Sequence, residues 1–272
     1  MNRKYSYIIL VIVITSTLYF AEKYVDRDNE DYPNTSEVKG TITSSEFDET
    51  IYPTSTTGVV VHHAYYSLSY SEEHEQAEWV AYELRKDQLS QNDIKRPYFV
   101  QDREVKSESA DWRNYKNSGY DRGHLCPAGD RRFDYDAYHE TFLTSNISPQ
   151  DRKFNGGVWN RLERKVRFWA EKYDGVFVVT GGVLKNGLKG IGEEGVSVPE
   201  QFYKVIIDNS GPQIKAIGFL IPNQETDAAF YDFAVSIDAI EAETGIDFFP
   251  AMDDSEEKKL EASIDLKAWG KR

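Results

Sequence analysis

Hydrophobic positions recur with a period of two near the start of the globular part of the chain. Within residues 58–70, Tyr66, Leu68 and Tyr70 alternate with serines, which predicts one half-buried β-strand. Residues 79–84 are rich in aromatic and β-favouring side chains and predict a second strand that closes a hairpin with the first.

Three more short runs of β-favouring residues follow later in the chain. They span residues 175–183, 201–207 and 214–221, and each is bounded by Gly, Pro, Asn or Asp. We therefore expect these runs to supply a central sheet.

A period close to 3.6 residues predicts a helix over residues 158–173, where apolar side chains form one stripe. The stripe consists of Val158, Leu162, Val166 and Trp169. A shorter helix is predicted over residues 236–244, since Ser236 can cap its N-terminus and Gly245 suits the position after its last turn. Strands joined by short links, with few helices between them, predict an α+β domain over residues 57–272.

The N-terminus has a different pattern. Residues 5–21 are 17 consecutive uncharged, mostly apolar residues, with basic residues before them and charges directly after. As a helix this segment is about 25 Å long, the lower limit for a bilayer span. It is either a signal anchor or a cleaved signal peptide over residues 1–21, and the lack of a good cleavage site favours the anchor. Either way, we expect a protein that is exported, and membrane-anchored or secreted.

Residues 22–56 are polar, acidic and without hydrophobic periodicity, which predicts a solvated linker to a folded domain that begins near Thr57. The composition excludes an intramolecular disulfide, because Cys126 is the single cysteine of the chain.

The charge is unevenly distributed. The net charge of −14 argues against a polyanionic partner, since phosphate binding relies on Lys and Arg. Residues 22–52 and 223–248, however, carry −6 and −7, whereas residues 95–172 carry +4. A polyanion could therefore be bound by the middle of the chain, although such charges more often solvate a helix face.

Candidate chemistry is concentrated in residues 121–167. His124 lies in the segment DRGHLCPAGD between a glycine and a turn, so its imidazole can be presented at a surface and act as a general base near neutral pH. A lone histidine in a loop is more often structural. Asn155 and Glu163 follow, eight residues apart; if the segment is helical throughout, they lie about 80° apart around the axis and about 12 Å along it.

That separation makes it difficult for both side chains to bind one ion directly. A hard cation such as Mg²⁺ could be bound by the Asn155 carboxamide oxygen and reached by Glu163 through a water molecule. Arg167 lies one turn beyond Glu163, where it could form a simple salt bridge or neutralise charge on a phosphate.

The order of the motifs resembles the DNA/RNA non-specific endonuclease family. The chain contains DRGH at 121–124, SNISPQ at 145–150, and an asparagine followed by WNRLE at 159–163. Flanking segments between about Tyr65 and Pro250 also look like that family. The resemblance implies a ββα-metal (His-Me finger) nuclease fold with a central, mostly antiparallel sheet flanked by helices.

The resemblance also implies roles for individual residues. His124 matches the general base, Asn155 the ligand of Mg²⁺, for which Mn²⁺ can substitute, and Glu163 a carboxylate that acts on the water shell of the metal. Arg167 matches an arginine near the scissile phosphate and Arg122 the arginine of the DRGH motif, and both are expected to be catalytic.

Two further matches concern the surroundings of the site. Asn146 corresponds to an asparagine that supports the site from behind it. A substrate-binding arginine upstream is matched by Arg96, with Arg103 as its rival.

The expected function is Mg²⁺-dependent, sugar-non-specific hydrolysis of the phosphodiester bonds of DNA and RNA, with a proton taken by His124 and the metal stabilising the leaving oxygen. Two alternatives stay open: a catalytically silent binding module that is tethered to a surface, and a phosphodiesterase of small nucleotides. The expected partners are nucleic acid and, through the N-terminal segment, a membrane. The resemblance leaves open a homodimer and a protein inhibitor, and the sequence identifies a surface for neither.

Overall fold

The computed structural model describes residues 52–90, 92–211 and 213–271. The membrane-directed segment 1–21 and residues 22–51 of the predicted linker lie outside the described residues, so those predictions remain predictions. Within the described residues, no helix is both long enough and apolar enough to span a bilayer.

The described part of the chain is an α+β structure. Its strands are β1 (Val60–His62), β2 (Ser67–Ser71), β3 (Gln76–Arg85), β4 (Asp121–His124), β5 (Ile147–Gln150), β6 (Gly175–Gly182), β7 (Gly190–Ile191), β8 (Val196–Ser197), β9 (Gln201–Asp208), β10 (Lys215–Pro222) and β11 (Ala234–Val235). Its α-helices are α1 (Tyr135–Glu140), α2 (Arg152–Phe154), α3 (Asn160–Tyr173), α4 (Ile237–Thr244) and α5 (Asp254–Ala262).

Seven strands form the main sheet in the order β1-β2-β3-β6-β9-β10-β11. Every neighbouring pair is antiparallel. The three runs predicted at 175–183, 201–207 and 214–221 are β6, β9 and β10 at the centre of this sheet. The predicted antiparallel α+β architecture is thus confirmed.

The prediction of one strand over residues 58–70 is wrong. The segment forms two antiparallel strands, β1 and β2, with Val60 opposite Ser69. The chain reverses between them, where the His63 amide donates to the Tyr66 carbonyl oxygen at 2.9 Å. The alternating pattern covers only the second strand of this hairpin.

The predicted half-burial of that strand is also wrong, because all five residues of β2 are buried. The serine face is covered by the preceding segment, in which Ser55 Oγ lies 2.7 Å from Ser69 Oγ. Ser69 Oγ in turn donates to Glu78 Oε1 at 2.6 Å. The packed structure therefore includes residues on the N-terminal side of Thr57.

The sheet is packed on both faces. On one face, α3 buries the predicted stripe, and Leu162, Val166 and Trp169 are at most 1 % exposed. On the other face, Ile237 and Ile240 of α4 join a second apolar cluster. Both predicted helices are confirmed, with α3 beginning two residues later than the predicted start at Val158 and α4 capped by the Ser236 side chain.

Outside the main sheet, β4 and β5 form a separate antiparallel ribbon. Together with α3 it makes the predicted ββα arrangement. A third apolar cluster, which includes Phe99, Phe142 and Ile147 of β5, packs against the ribbon. The ribbon therefore carries the DRGH motif on a packed base.

Candidate active site

The ribbon of β4 and β5 positions His124. Its register places His124 opposite Ile147 and Gly123 opposite Ser148. A Cβ atom on Gly123 would lie 2.2 Å from Cδ of the Gln150 side chain, so glycine at residue 123 leaves the space that the buried Gln150 side chain occupies.

Two aromatic rings hold the His124 imidazole in place. The ring centroid of Phe142 lies 5.0 Å from that of His124, edge to face, and the centroid of Phe99 lies 5.6 Å away. Nε2 of His124 is buried and has no hydrogen-bond partner among the described residues. The ring orientation is therefore fixed by packing.

Asn146 fixes the backbone that follows His124. Its Oδ1 accepts from the Cys126 amide at 2.8 Å, and its Nδ2 donates to the carbonyl oxygens of Cys126 at 3.0 Å and Thr141 at 2.9 Å. The side chain is fully buried. Asn146 thus supports the histidine loop from behind, in the position expected from the sequence.

Four of the predicted site residues line one cavity of about 230 Å³. The lining consists of His124, Pro127, Ala128, Gly129, Asn155, Asn160, Glu163 and Arg167. The predicted base, both predicted metal-binding residues and one predicted arginine therefore surround the same space. Arg122, Arg96 and Asn146 are not part of this lining.

The charge state of His124 is set by its surroundings. Burial lowers the pKa of the imidazole from 6.5 to about 3, and the positive charges of Arg96 and Arg122 contribute to the decrease. The imidazole is therefore neutral at neutral pH, which is the form that can accept a proton.

The two arginines that act on His124 share an aromatic platform. The Arg122 guanidinium carbon lies 4.8 Å from the centroid of the Phe99 ring, and that of Arg96 lies 5.6 Å from the same centroid. Arg103 is exposed, and it is not among the charges that shift the pKa of His124. Between the two predicted upstream arginines, the structure places Arg96 beside the histidine.

Asn155 stands at the first residue of a π-helical turn, Asn155–Trp159, that precedes α3. Gly157 within it has φ −101° and ψ −110°, far from helical values. The α-helical geometry considered for the segment from Asn155 to Glu163 is therefore wrong in its first turn. Turns of this kind interrupt helices frequently at functional sites, and here both side chains still reach one cavity.

Asp121 orients the Asn155 carboxamide. Nδ2 of Asn155 donates to Asp121 Oδ2 at 3.2 Å, while Oδ1 of the same aspartate pairs with Nε of Arg152 at 3.2 Å. Because the amide nitrogen is engaged, the carboxamide oxygen of Asn155 is the atom left for a cation.

Glu163 and Arg167 of the cavity lining belong to a group of four charged residues. We call this group the matched cluster; its other members are Asp130 and Lys204. Nη1 of Arg167 donates to Asp130 Oδ1 at 2.5 Å, and the hydroxyl of Tyr82 donates to Asp130 Oδ2 at 3.1 Å. The ion pair of Arg167 is thus made with Asp130 on the facing 3₁₀ turn Ala128–Asp130. This arrangement holds the guanidinium at the cavity wall.

Lys204 and Glu163 influence each other inside the matched cluster. Lys204 is completely buried, its Nζ has no hydrogen-bond partner among the described residues, and this atom lies 4.7 Å from the Trp159 ring centroid. Burial raises the pKa of the Glu163 carboxyl, and the positive charge of Lys204 opposes that increase. Burial lowers the pKa of Lys204, and the negative charge of Glu163 opposes that decrease.

The atoms at the cavity suit a hard divalent cation. The available donors are the Asn155 carboxamide oxygen and the Glu163 carboxylate, and oxygen ligands are those that Mg²⁺ prefers. The cavity also has room for several water molecules, which Mg²⁺ usually retains. The residues present therefore fit such an ion.

Sequence reasoning predicted Asn146 but missed three other residues that support the site: Asp121, Asp130 and Lys204. Asp121 and Asp130 lie within the DRGHLCPAGD segment, but nothing in their spacing indicates which side chain each one holds. Lys204 did leave a signal, because it is the one charged residue in the apolar run QFYKVII and shares a face of β9 with Phe202 and Ile206.

Comparisons with known proteins identify the family of the chain. The family model described as DNA/RNA non-specific endonuclease matches residues 43–255. Mitochondrial nuclease EXOG of Mus musculus is 34 % identical in an alignment of length 218 that covers 74 % of this chain and 59 % of that protein. Mitochondrial endonuclease G of Homo sapiens is 34 % identical in an alignment of length 200 that covers 68 % of this chain and 67 % of that protein. The chain thus spans less than two thirds of the length of the EXOG relatives that it matches.

A solved structure gives the same result for the fold. The crystal structure of the EndoG/EndoGI complex, described as showing the mechanism of EndoG inhibition, contains a chain that is 32 % identical with a TM-score of 0.67. The match covers 72 % of this chain and 88 % of that one. The ββα arrangement, the cavity and the family match over residues 43–255 lead to one conclusion: the chain belongs to the DNA/RNA non-specific endonuclease family.

Proposed function

We propose that this protein is a metal-dependent endonuclease that hydrolyses the phosphodiester bonds of both DNA and RNA. One observation carries the proposal: His124 at the end of β4 lines the same cavity as Asn155 and Glu163, which lie on the later helical segment. A neutral imidazole can accept a proton from water, and a cation held by oxygen donors can stabilise the leaving oxygen; together they supply two of the contributions used in phosphodiester hydrolysis.

His124 acts as the general base. Its neutral imidazole takes a proton from a water molecule as that water attacks phosphorus. Phe99 and Phe142 keep the ring in one orientation, and Asn146 keeps the following backbone in place. Folding therefore fixes the orientation of the base, so little further conformational entropy is lost when the reaction occurs.

Asn155 and Glu163 would hold the cation, Asn155 through its carboxamide oxygen and Glu163 through a water molecule. We propose Mg²⁺, with Mn²⁺ able to substitute, because all the donors are oxygen atoms. When bound, such a cation stabilises negative charge on the leaving oxygen. Asp121 and Lys204 keep the two side chains oriented and ionised for this purpose.

The arginines bind the phosphate. Arg167 lies at the cavity wall, and the charges of Arg122 and Arg96 reach His124, so all three act where the scissile phosphate would bind. These contacts recognise the backbone that DNA and RNA share, and phosphate contacts carry no sequence information. We therefore expect weak sequence preference and activity on both polymers.

The proposal extends to location and partners. We propose that residues 1–21 direct the chain out of the cytoplasm, as an anchor or a cleaved signal, with residues 57–272 as the nuclease domain. Relatives named as mitochondrial nucleases agree with a site of action outside the cytosol. The EndoG/EndoGI complex supports a protein inhibitor as a partner to look for. A homodimer stays a prediction.

A nuclease assay tests the proposal. We expect the purified protein to degrade supercoiled plasmid and single-stranded RNA in Mg²⁺, and to lose this activity in EDTA. The variant His124→Ala should be at least about 100-fold slower, the usual loss when a general base is removed, while His62→Ala, on an exposed histidine away from the cavity, should retain full activity.

Two results would contradict the proposal. Intact plasmid and RNA in the presence of Mg²⁺ or Mn²⁺ would show that the site is silent, and retention of nucleic acid on a filter would then indicate a binding module. Hydrolysis of dinucleotides with no cleavage of plasmid would indicate a phosphodiesterase of small nucleotides.

A further inference from the structure

A second group of carboxylates lies on the other side of the main sheet, where α4 and α5 pack together. Its members are Asp238 and Glu241 of α4, Asp247 after α4, and Glu257 and Glu261 of α5. We call these five residues the acidic cluster. None of them lines the cavity that contains His124.

The acidic cluster consists of two overlapping triads. In one triad, Glu261 is joined by Asp238 and Glu241; in the other, it is joined by Asp247 and Glu257. Within each triad, one carboxylate oxygen from each residue lies within 4.8 Å of the others. Glu257 and Glu261 stand one turn apart on α5, so both point toward α4 from the same face.

Glu261 is the residue that both triads share, and it is also the least exposed, with 7 % of its surface accessible. Its Oε1 atom is buried and has no hydrogen-bond partner among the described residues. A buried carboxylate oxygen without a partner is costly, and such an atom indicates an unseen ligand.

The neighbours of Glu261 increase that cost. Glu241 and Glu261 are within hydrogen-bonding distance, which two carboxyl groups tolerate only with a proton or a cation between them. The neighbouring groups that raise the pKa of Glu261 are Glu241, Glu257 and Asp238, and all three are acidic. The segment 223–248, which supplies α4, contains no Lys or Arg.

The geometry suits calcium. Ca²⁺ binds six to eight oxygen atoms at about 2.3–2.6 Å, commonly from several carboxylates, so any two ligands of one ion are at most about 5 Å apart, and the oxygens of each triad lie within that limit. Mg²⁺ requires shorter distances and a stricter octahedron, and it keeps several waters. We propose that the acidic cluster binds Ca²⁺ through Glu261, and that the ion fastens α5 to α4.

The position of α5 explains why such an ion would matter. Most of its residues are exposed, and the apolar contacts that join it to the second core cluster come from the partly buried Leu260 and, just before the helix, Met252. Little apolar surface therefore holds the helix in place. A cation shared by α4 and α5 would replace carboxylate repulsion with attraction.

Calcium binding can be measured on the full protein after dialysis against EDTA. We expect CaCl₂ to raise the melting temperature by about 5 °C when its concentration reaches 100 times the dissociation constant. For a partly exposed site, that constant should lie near 10⁻⁴ M. Calorimetric titration with CaCl₂ gives the affinity and stoichiometry directly.

Matched variants assign the binding to the acidic cluster. Glu261→Gln should weaken the calcium response at least about 10-fold, because it removes the charge common to both triads. Glu256→Gln removes one exposed charge of the same helix outside the cluster and should leave the response unchanged. Both variants should keep wild-type nuclease activity in Mg²⁺, so this test does not depend on the proposed function.

Three results would overturn the proposal. The first is an equal response to CaCl₂ in the wild type and in Glu261→Gln, which would place the ion elsewhere. The second is an equal response of the wild type to MgCl₂ and CaCl₂ at the same concentration. The third is a wild type that does not respond while Glu261→Gln is the more stable protein, which would mean that Glu241 and Glu261 share a proton instead.

Discussion

The matched cluster at the cavity that contains His124 and the acidic cluster between α4 and α5 are two solutions to the same problem. Each brings carboxylates together in a partly or fully buried place. The matched cluster balances Asp130 and Glu163 with Arg167 and Lys204. In the acidic cluster, the neighbouring groups that raise the pKa of Glu261 are themselves acidic. The first is complete within this chain, whereas the second requires a cation or a proton.

The comparison shows that net charge is a poor guide to what a protein binds. The chain carries −14 overall, yet the charges that act on His124 are positive. Most of the excess acid lies in other segments, one of which supplies α4. Local charge, fixed by which segments the fold brings together, decides which ligand each place can accept.

The largest effect on stability is expected from Asp130→Ala in the matched cluster. It leaves Arg167 and the hydroxyl of Tyr82 without their acceptor, and breaking a buried pair costs about 3 kcal/mol. The rate of cleavage should fall as well, because Arg167 loses its orientation. Chemical denaturation and initial rates on plasmid measure the two effects.

Asp232→Ala is the matched control, because Asp232 pairs with Lys271 at the surface at 3.4 Å. Surface pairs of this kind contribute little. Equal losses of stability in Asp130→Ala and Asp232→Ala would show that the ion pair of the matched cluster contributes no more to stability than a surface pair.

The next effect is expected from Lys204→Met, which removes the positive charge that lowers the pKa of Glu163 most while keeping an unbranched apolar side chain. We expect at least about a 10-fold loss of kcat near pH 7, since the Glu163 carboxyl then becomes harder to ionise. Lys215→Met on the neighbouring strand β10 is the control, because Lys215 pairs with Asp208 away from the cavity. An unchanged kcat in Lys204→Met would show that Lys204 is not needed to keep Glu163 ionised for catalysis.

The smallest effect has the opposite sign and concerns the acidic cluster. In EDTA, Glu257→Gln should keep or raise the melting temperature, by about 1–2 °C at most, because it removes repulsion from Asp247 and Asp254. Differential scanning calorimetry at low salt measures this shift. A clear decrease would mean that Glu257 is already neutralised and that the two clusters do not differ as described.

The sequence predicted the elements whose periodicity is complete. The apolar stripe of α3 and the runs of β6, β9 and β10 were all recognisable, because each element buries a regular face. Residues 58–70 were misassigned, since alternation identifies a strand but not the turn before it or the segment that covers its polar face. The π-helical turn at Asn155 also left no periodic signal.

For the site, the sequence predicted the residues that face the cavity and one residue behind them, Asn146, but not Asp121, Asp130 or Lys204. His124, Asn155, Glu163 and Arg167 were identified through ordered motifs, and they share one cavity. The partners that orient these side chains come from distant segments, as Lys204 on β9 does. Such contacts depend on strand order and register, which no local pattern encodes.

The central claim is that His124 takes the proton while Asn155 holds the metal, and one titration separates these roles. Initial rates of plasmid cleavage are measured against Mg²⁺ concentration for the wild type, His124→Ala and Asn155→Ala. The account predicts that Asn155→Ala needs at least about 10-fold more Mg²⁺ for half-maximal rate, and that His124→Ala lowers the maximal rate at an unchanged Mg²⁺ requirement. An unchanged Mg²⁺ requirement in Asn155→Ala, or full activity in His124→Ala, would contradict it.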